Sequence, residues 1–397
     1  MQKTGMVIIG GGAAGICAAI SAKRKGQDVV ICERMPMIGK KILASGNGRC
    51  NLLNDDLNES FYNESARNLV KSILARHGKK ELLDFFKGLG LETYSESGRI
   101  FPVTNQSSSV LKVLELELAR LAIPVELNFT VDSVQATKGR FLIKSRSGKD
   151  IECERLIIAA GGRSYPALGS DGSCYKLAQI FGHKIIGTVP AAVPLVIKDR
   201  LCHLLQGQKI FAKVKAVIDG KDACSAEGDL LFTKYGLSGT AILDVSEKIS
   251  VAINRDAQKM VSVSIDMVPF MEAGALESEF AKRMKNRLAT PDLTAGILPN
   301  KFGIALREEF GSKKAPEIAA LLKNRTFKVI ETKGWSQADF TAGGVDVKDI
   351  DERTLASKLA KGLYFAGEIL DVCGARGGYN LAWAWASGLL AGESGAH

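Results

Sequence analysis

The feature that most constrains this chain lies at its start. Met6 to Ile9 is a short apolar run, and Gly10-Gly11-Gly12-Ala13-Ala14-Gly15 follows it directly. Ala13 to Lys25 has helical spacing stopped by Gly26, and Asp28 to Cys32 is a second apolar run ending at Glu33. That order predicts a βαβ unit whose first turn carries G-x-G-x-x-G. Gly10 permits the tight turn, Gly12 lets a pyrophosphate approach the backbone, and Gly15 lets the helix pack closely on the strand. The helix N-terminus offers N–H groups and the positive end of its dipole. Glu33, at a strand end, can accept hydrogen bonds from both ribose hydroxyls and would repel a 2′-phosphate. Glycine is abundant, 41 of 397 residues, so the triplet alone is weak evidence. Its setting between strand and helix, with an acid at the next strand end, points to dinucleotide binding; Ala14 and Arg34 join that set.

Three later segments bear on which dinucleotide. Gly39 to Asn51 is basic and glycine-rich: Lys40, Lys41 and Arg49 are expected to neutralise a pyrophosphate, with Ser45, Gly46, Cys50 and Asn51 lining an extended ligand. Leu156 to Gly162 reads as a buried parallel strand whose end, Ala160-Gly161, lies close to the ligand. A solvated basic loop and an ordinary glycine turn are the plainer readings of these two. Near the C-terminus, a strand ends at Gly367-Glu368, and Gly374 to Asn380 opens a helix from Leu381 to Leu390. A second helix N-terminus aimed at an electron-rich group suits reduced flavin, which gathers charge at its N1–C2=O edge. Trp383 and Trp385, inside that helix, read as core packing.

Residues 63–121 look mainly helical, and short strands at Val125 to Asn128, Val131 to Gln135, Arg140 to Ser145 and Asp150 to Glu154 form a predicted meander. Pro190 and Pro194 mark a boundary. Beyond it, residues 195–265 alternate as strands, while Met271 to Leu288 and Phe302 to Leu322 look like amphipathic helices. No second G-x-G-x-x-G appears there, which argues against a dedicated NAD(P) domain.

The 53 basic and 43 acidic residues leave a formal charge of +10, a balance that raises nucleic acid as a partner. No run of five like charges occurs, so a basic arm is excluded. The apolar stretch at Leu381 to Leu390 falls short of the ~20 residues of a membrane span. Eight cysteines form no CxxC pair, and the four histidines no HExxH, so no metal site is expected. A cytoplasmic protein without a membrane or metal partner is the expectation; oligomeric state is not readable.

Taken together, Gly10-Gly12-Gly15 with Glu33, Ser45 to Asn51, Phe101-Pro102, Leu231 to Gly239, Thr341 to Val345 and Gly367-Glu368 through Gly377-Gly378-Tyr379-Asn380 resemble one family. It is the bacterial FAD-dependent oxidoreductase family that includes aminoacetone oxidase and the BaiN bile-acid reductase. The resemblance spans essentially the whole chain. It implies an α/β fold: a discontinuous, glutathione-reductase-type (Rossmann-like) FAD domain at 1–189 and 341–397, with a β-barrel insert at 190–340 carrying a helical subdomain at about 270–325. It also implies that Val131 presents its backbone to adenine, that Glu368 stands near the ribityl chain and pyrophosphate, and that Gly378, Tyr379 and Asn380 lie at the flavin. Arg376, ahead of Gly377, departs from the family's usual neutral residue. The expected function is hydride transfer between flavin and a small organic substrate, with NAD(P)H as a transient donor and the insert covering the flavin. No catalytic residue is assigned; Cys50, Tyr379 and Arg376 are the first to inspect. An RNA-associated flavoprotein and a flavin-binding sensor with little turnover are the alternatives, and the diffuse charge argues against nucleic acid.

Overall fold

The first apolar run becomes the centre of a sheet. In the computed structural model, which describes residues 2–137, 139–257 and 260–396, strand Gln2–Ile9 pairs in parallel with Val29–Cys32 on one side and Asp150–Ile158 on the other. Met6, Val7 and Ile8 are fully buried, which is why the run is continuously apolar rather than alternating. Val125–Glu126 extends the sheet in parallel beyond Val29–Cys32. On the far side, Asp150–Ile158 has two partners along one edge. Its first half pairs antiparallel with Arg140–Ser145, which pairs with Val131–Thr137, and its last three residues pair in parallel with Leu363–Phe365.

Two expectations change here. Val125–Glu126 belongs to the parallel part of the sheet and not to the meander. The predicted strands at Asp150 and Leu156 are one continuous strand, Asp150–Ile158, in which burial alternates at first and becomes complete over Leu156 to Ile158. One strand therefore passes from a half-covered to a fully covered region, and the pattern changes without a break.

Residues 63–121 supply helices Arg67–Leu74, Lys79–Gly88 and Ser107–Arg120. They also supply two strands of a three-stranded antiparallel sheet, Thr93–Glu96 and Arg99–Pro102, with Leu53–Asn54 as the third. Ser97 and Gly98 connect the hairpin with φ of 52° and 78°, the pair of left-handed residues that a two-residue hairpin turn demands.

The C-terminal helix, Tyr379–Ser394, lies on helix Ala13–Arg24 at unusually short range. A Cβ on Gly388 would sit 2.3 Å from the Ala14 carbonyl oxygen, and one on Gly392 2.2 Å from that of Ala18. The contacts advance together along both helices, so the two run in the same direction. Ser21 Oγ seals the seam by donating to the Leu389 carbonyl at 2.9 Å. Trp383 and Trp385 are buried, with indole N–H groups bonded to the carbonyls of Gly367 and Leu52.

The chain divides into two compact units, Met1–Thr188 with Phe340–His397, and Val189–Asp339. Among its described residues the second holds seven antiparallel strands in the order Arg325–Lys328, Val261–Asp266, Lys209–Ile218, Lys221–Thr233, Gly236–Ser238, Leu195–Val196 and Glu331–Thr332. The first and last of these are nearly continuous in sequence: Val329 N–H donates to the Val261 carbonyl and Ile330 N–H to the Val196 carbonyl. Thr240–Asn254, expected as strand, is a helix whose buried face includes Ala241, Ile242, Val245 and Ile249, a helical period set inside β-rich surroundings. The helix expected over Phe302 to Leu322 is two, Asn300–Phe310 and Ala315–Lys323, with Pro316 in the first turn of the second. Among the described residues no helix is long and apolar enough to cross a membrane.

Candidate cofactor site

The site grows from the carboxyl ends of the parallel strands, where the chain turns from strand to helix. Gly10 has φ of 110°, and a Cβ there would lie 2.5 Å from the Ala159 carbonyl oxygen. A Cβ on Gly15 would come within 1.9 Å of the Gly10 carbonyl oxygen, so only glycine lets the helix start this close to the strand. Gly12 differs from both. It is the N-cap of helix Ala13–Arg24 without any side-chain cap, and a Cβ on it would meet nothing within 4 Å. The turn thus forms an open cradle in front of the helix N-terminus, whose first N–H groups suit an anion.

Glu33 is buried at the end of the second strand. Its carboxylate accepts the Gly11 N–H at 2.7 Å and the Met35 N–H at 2.8 Å, fixing it at the lip of the turn. Arg34 forms an ion pair with Asp171, while its Nε is buried without a hydrogen-bond partner. Val131 opens strand Val131–Thr137, and Phe129, two residues earlier, donates its N–H to the Glu33 carbonyl at 2.8 Å. The Val131 segment is therefore tied to the Glu33 strand end.

The basic loop does not present three equivalent cations. Lys40 and Lys41 open the short helix Lys40–Ala44. Lys41 Nζ donates to Glu368 Oε2 at 2.7 Å and to Ser164 Oγ at 2.6 Å. Arg49 points into the small sheet, bonded to Glu96, Tyr94 and Asn105 and lying 4.1 Å above the Phe101 ring centroid. Ser45 Oγ donates to the Ile42 carbonyl, and Gly46 and Asn47 are both left-handed. A Cβ on Gly46 would fall 2.8 Å from the Asn51 nitrogen. Cys50 is fully buried, and burial pushes its thiol up to about 12, which removes it as a nucleophile at neutral pH.

Glu368 is the centre of a network that sequence spacing could not show. Besides Lys41, its carboxylate accepts the Thr341 N–H at 2.7 Å, the Ser164 hydroxyl at 3.2 Å and the Gly162 N–H at 3.2 Å. Ala160-Gly161 ends the strand beside it, with Gly161 left-handed at φ of 73°. Gly367 has φ of 77°, and its Cα faces Ala14 across the helix start, where an added Cβ would lie 2.8 Å from the Ala14 Cβ.

At the second helix N-terminus, Gly378 packs against Leu53, where a Cβ would lie 2.6 Å from the carbonyl carbon. Asn54 Nδ2 donates to the Gly377 carbonyl at 3.0 Å. Tyr379 stacks on Phe61 with ring centroids 4.4 Å apart, and its carbonyl accepts the Tyr62 hydroxyl. Asn380 clamps its own loop, accepting the Gly374 N–H and donating to the carbonyls of Gly374 and Ala375.

Do these residues fit a flavin dinucleotide? Among the described residues, three buried polar atoms on the predicted cofactor segments and beside Gly161 lack partners: Arg34 Nε, Asn51 Oδ1 and Ser170 Oγ. Ser170 Oγ lies 2.9 Å from where a Gly161 Cβ would be. Buried polar atoms are normally paired, so unpaired ones on the segments that follow these strand ends are suited to ligand atoms. The residues fit the group. Among the described residues no cluster of His, Cys, Asp and Glu could hold a metal ion.

A family profile described as the HI0933-like protein Rossmann domain matches residues 4–394. The chain is 37% identical to a 3-dehydro-bile acid delta(4,6)-reductase of Clostridium scindens, covering 98% of each chain. It is 32% identical to a ribosomal RNA dihydrouridine synthase of Haemophilus influenzae, covering 97% of each. Among solved structures, a 3-ketosteroid delta1-dehydrogenase from Sterolibacterium denitrificans shares the fold, with a TM-score of 0.51, 12% identity and full coverage of both chains.

Proposed function

The chain belongs to the HI0933-like Rossmann-domain family and is an FAD-dependent oxidoreductase, and from that premise we propose that it saturates a carbon–carbon double bond conjugated to a carbonyl. When bound, FAD supplies the hydride, with NAD(P)H as the donor that replenishes it. The observation that carries the reading is the uncapped turn at Gly12, where an added Cβ would meet no protein atom within 4 Å, in a chain alike from end to end to a named reductase. The substrate class follows from chemistry shared by two relatives. A delta(4,6)-reductase of a 3-oxo bile acid and a synthase of dihydrouridine both reduce an alkene that a nearby carbonyl polarises.

Within this reading Gly10, Gly12, Ala14 and Gly15 receive the pyrophosphate, Glu33 the ribose, and Arg34 and Val131 the adenine. Lys40, Ser45, Gly46, Cys50, Asn51, Ala160, Gly161 and Gly367 line the extended middle of the cofactor. Lys41 and Glu368 act there as a pair, so the net charge they bring is close to zero. Gly378, Tyr379 and Asn380 shape the flavin end, Asn380 by holding the Gly374–Ala375 backbone. Arg49 serves indirectly, by fastening the loop to the small sheet. We read the insert as a barrel because the two end strands of its path, Arg325–Lys328 and Glu331–Thr332, are joined directly by Val329 and Ile330, whose N–H groups bond to Val261 and Val196. Eight free cysteines suit a reducing, cytoplasmic setting.

A second reading, that the alkene is a uracil within RNA, is favoured by the +10 charge and the dihydrouridine synthase relative. Against it, the exposed lysines of strand Lys209–Ile218 are spent on ion pairs, Lys209 with Asp229, Lys213 with Glu227 and Lys215 with Asp222. The test is to bleach the yellow protein anaerobically with NADH or NADPH and then add a 3-oxo-Δ4 steroid or a uridine-rich transcript. Return of colour with the steroid supports the first reading. Return with the transcript alone supports the second, and a protein that neither holds FAD nor reduces any such alkene overturns both.

A further inference from the structure

The small sheet carries a cation whose place is not explained by packing. Asn54 and Arg99 are direct cross-strand partners, and both face the loop that precedes helix Tyr379–Ser394. Asn54 Nδ2 holds the Gly377 carbonyl, and Arg99 Nε lies 3.9 Å from where a Gly377 Cβ would be. Arg49, which also docks on this sheet, has Glu96, Tyr94 and Asn105 as partners. Arg99 is half-buried, yet among the described residues its guanidinium forms no ion pair and no hydrogen bond. A partly desolvated guanidinium costs free energy unless an anion meets it. The same Gly377 Cβ would lie 3.5 Å from Tyr379 Cε2, so Arg99 and the Tyr379 ring flank one loop residue.

We propose that Arg99 is a specificity-determining residue that receives a carboxylate of the substrate, so that the preferred substrates are unsaturated carbonyl compounds bearing an acid group. This rests on the reading that the Gly374–Asn380 loop borders the reacting end of the cofactor. The guanidinium fork matches a carboxylate through two parallel hydrogen bonds, which an ester cannot reproduce with a full charge. The bond from the Asn54 side chain to the Gly377 carbonyl holds the loop at a fixed distance from that fork, giving the anion a rigid seat.

The test uses FAD-loaded wild type, Arg99→Gln and Arg99→Lys, titrated with 3-oxo-4-cholenoic acid and with its methyl ester. Binding is read from the perturbation of the flavin absorbance without reductant, and turnover is measured separately. For wild type the acid should bind ~10- to 100-fold more tightly than the ester, the range expected of a charge-assisted bidentate contact. Arg99→Gln should erase that preference with flavin content unchanged, and Arg99→Lys should keep part of it. Equal binding of acid and ester by wild type overturns the inference, as does a preference that survives in Arg99→Gln. Loss of FAD from Arg99→Gln overturns it too, by assigning the guanidinium to the cofactor. An acid preference that vanishes in Arg99→Gln while neither compound is reduced sustains the anion seat and defeats the double-bond reading, so the two failures are separable.

Discussion

Two glycines three residues apart in one turn should respond in opposite ways to the same added methyl group. Gly12 has φ of −88° and ψ of −170°, a conformation alanine adopts freely, and a Cβ there meets no protein atom within 4 Å. Gly12→Ala loses a little as a helix cap and gains a little by restricting the unfolded chain, each by about 0.5–1 kcal/mol. Stability without cofactor should therefore stay within about 1 kcal/mol of wild type. The methyl group instead occupies the cradle. Overpacking against a pyrophosphate should cost about 1–3 kcal/mol, roughly 5- to 150-fold in FAD affinity. Gly15→Ala is different, because its Cβ would sit 1.9 Å from the Gly10 carbonyl oxygen. Helix and strand must move apart, at a cost of about 3 kcal/mol or more in the apo protein itself. Urea melts of apo protein and FAD titrations by fluorescence quenching separate the two effects. In wild type, FAD at 100 times its Kd should add about 2.7 kcal/mol of stability, and Gly12→Ala should lose about 1 to 2.4 kcal/mol of that increment at the same FAD concentration. Wild-type FAD affinity in Gly12→Ala, or an undisturbed apo melt for Gly15→Ala, would refute the cradle.

The pair formed by Lys41 and Glu368 gives a second outcome. Lys41→Met leaves the mostly buried Glu368 carboxylate without its cation, which should cost about 1–3 kcal/mol, less than for a fully buried pair because Lys41 is partly exposed. Adding Glu368→Gln should recover part of the loss in a double-mutant cycle. A third outcome concerns pH. Glu117 is held below the usual carboxylate range by hydrogen bonds from Arg120 and, opposed by burial, from Arg24. A depressed folded value stabilises above the unfolded value near 4.5 and is lost as pH falls through the folded value. Wild type should lose stability progressively on acidification below about pH 4.5, and Glu117→Gln should flatten that slope. Parallel slopes for the two proteins would show that Glu117 carries none of it.

Much of the cofactor turn was legible because its requirements are local. A strand, a tight turn and a helix start are specified within ten residues, and the glycines needed there announce themselves. The hairpin around Ser97-Gly98 was legible in principle by the same logic, from two left-handed residues between β-rich pairs. It was overshadowed by the helical periods on either side. The Thr240–Asn254 helix was hidden in the opposite way, by the strands around it.

What the sequence by itself determined is the βαβ opening with its cradle, the acid at the next strand end and the second glycine-opened helix, since backbone sterics and hydrophobic period act over a few residues. Tertiary structure alone decided which charges meet. Lys41 and Glu368 are 327 residues apart and share one bond, Arg49 is claimed by the small sheet, and the Arg99 guanidinium beside Gly377 has no ion-pair partner among the described residues. A charge's role depends on the partners within a few ångströms after folding. Long-range packing sets those partners, here the glycine-lined seam between helices Ala13–Arg24 and Tyr379–Ser394 and the small sheet lying against Gly377-Gly378.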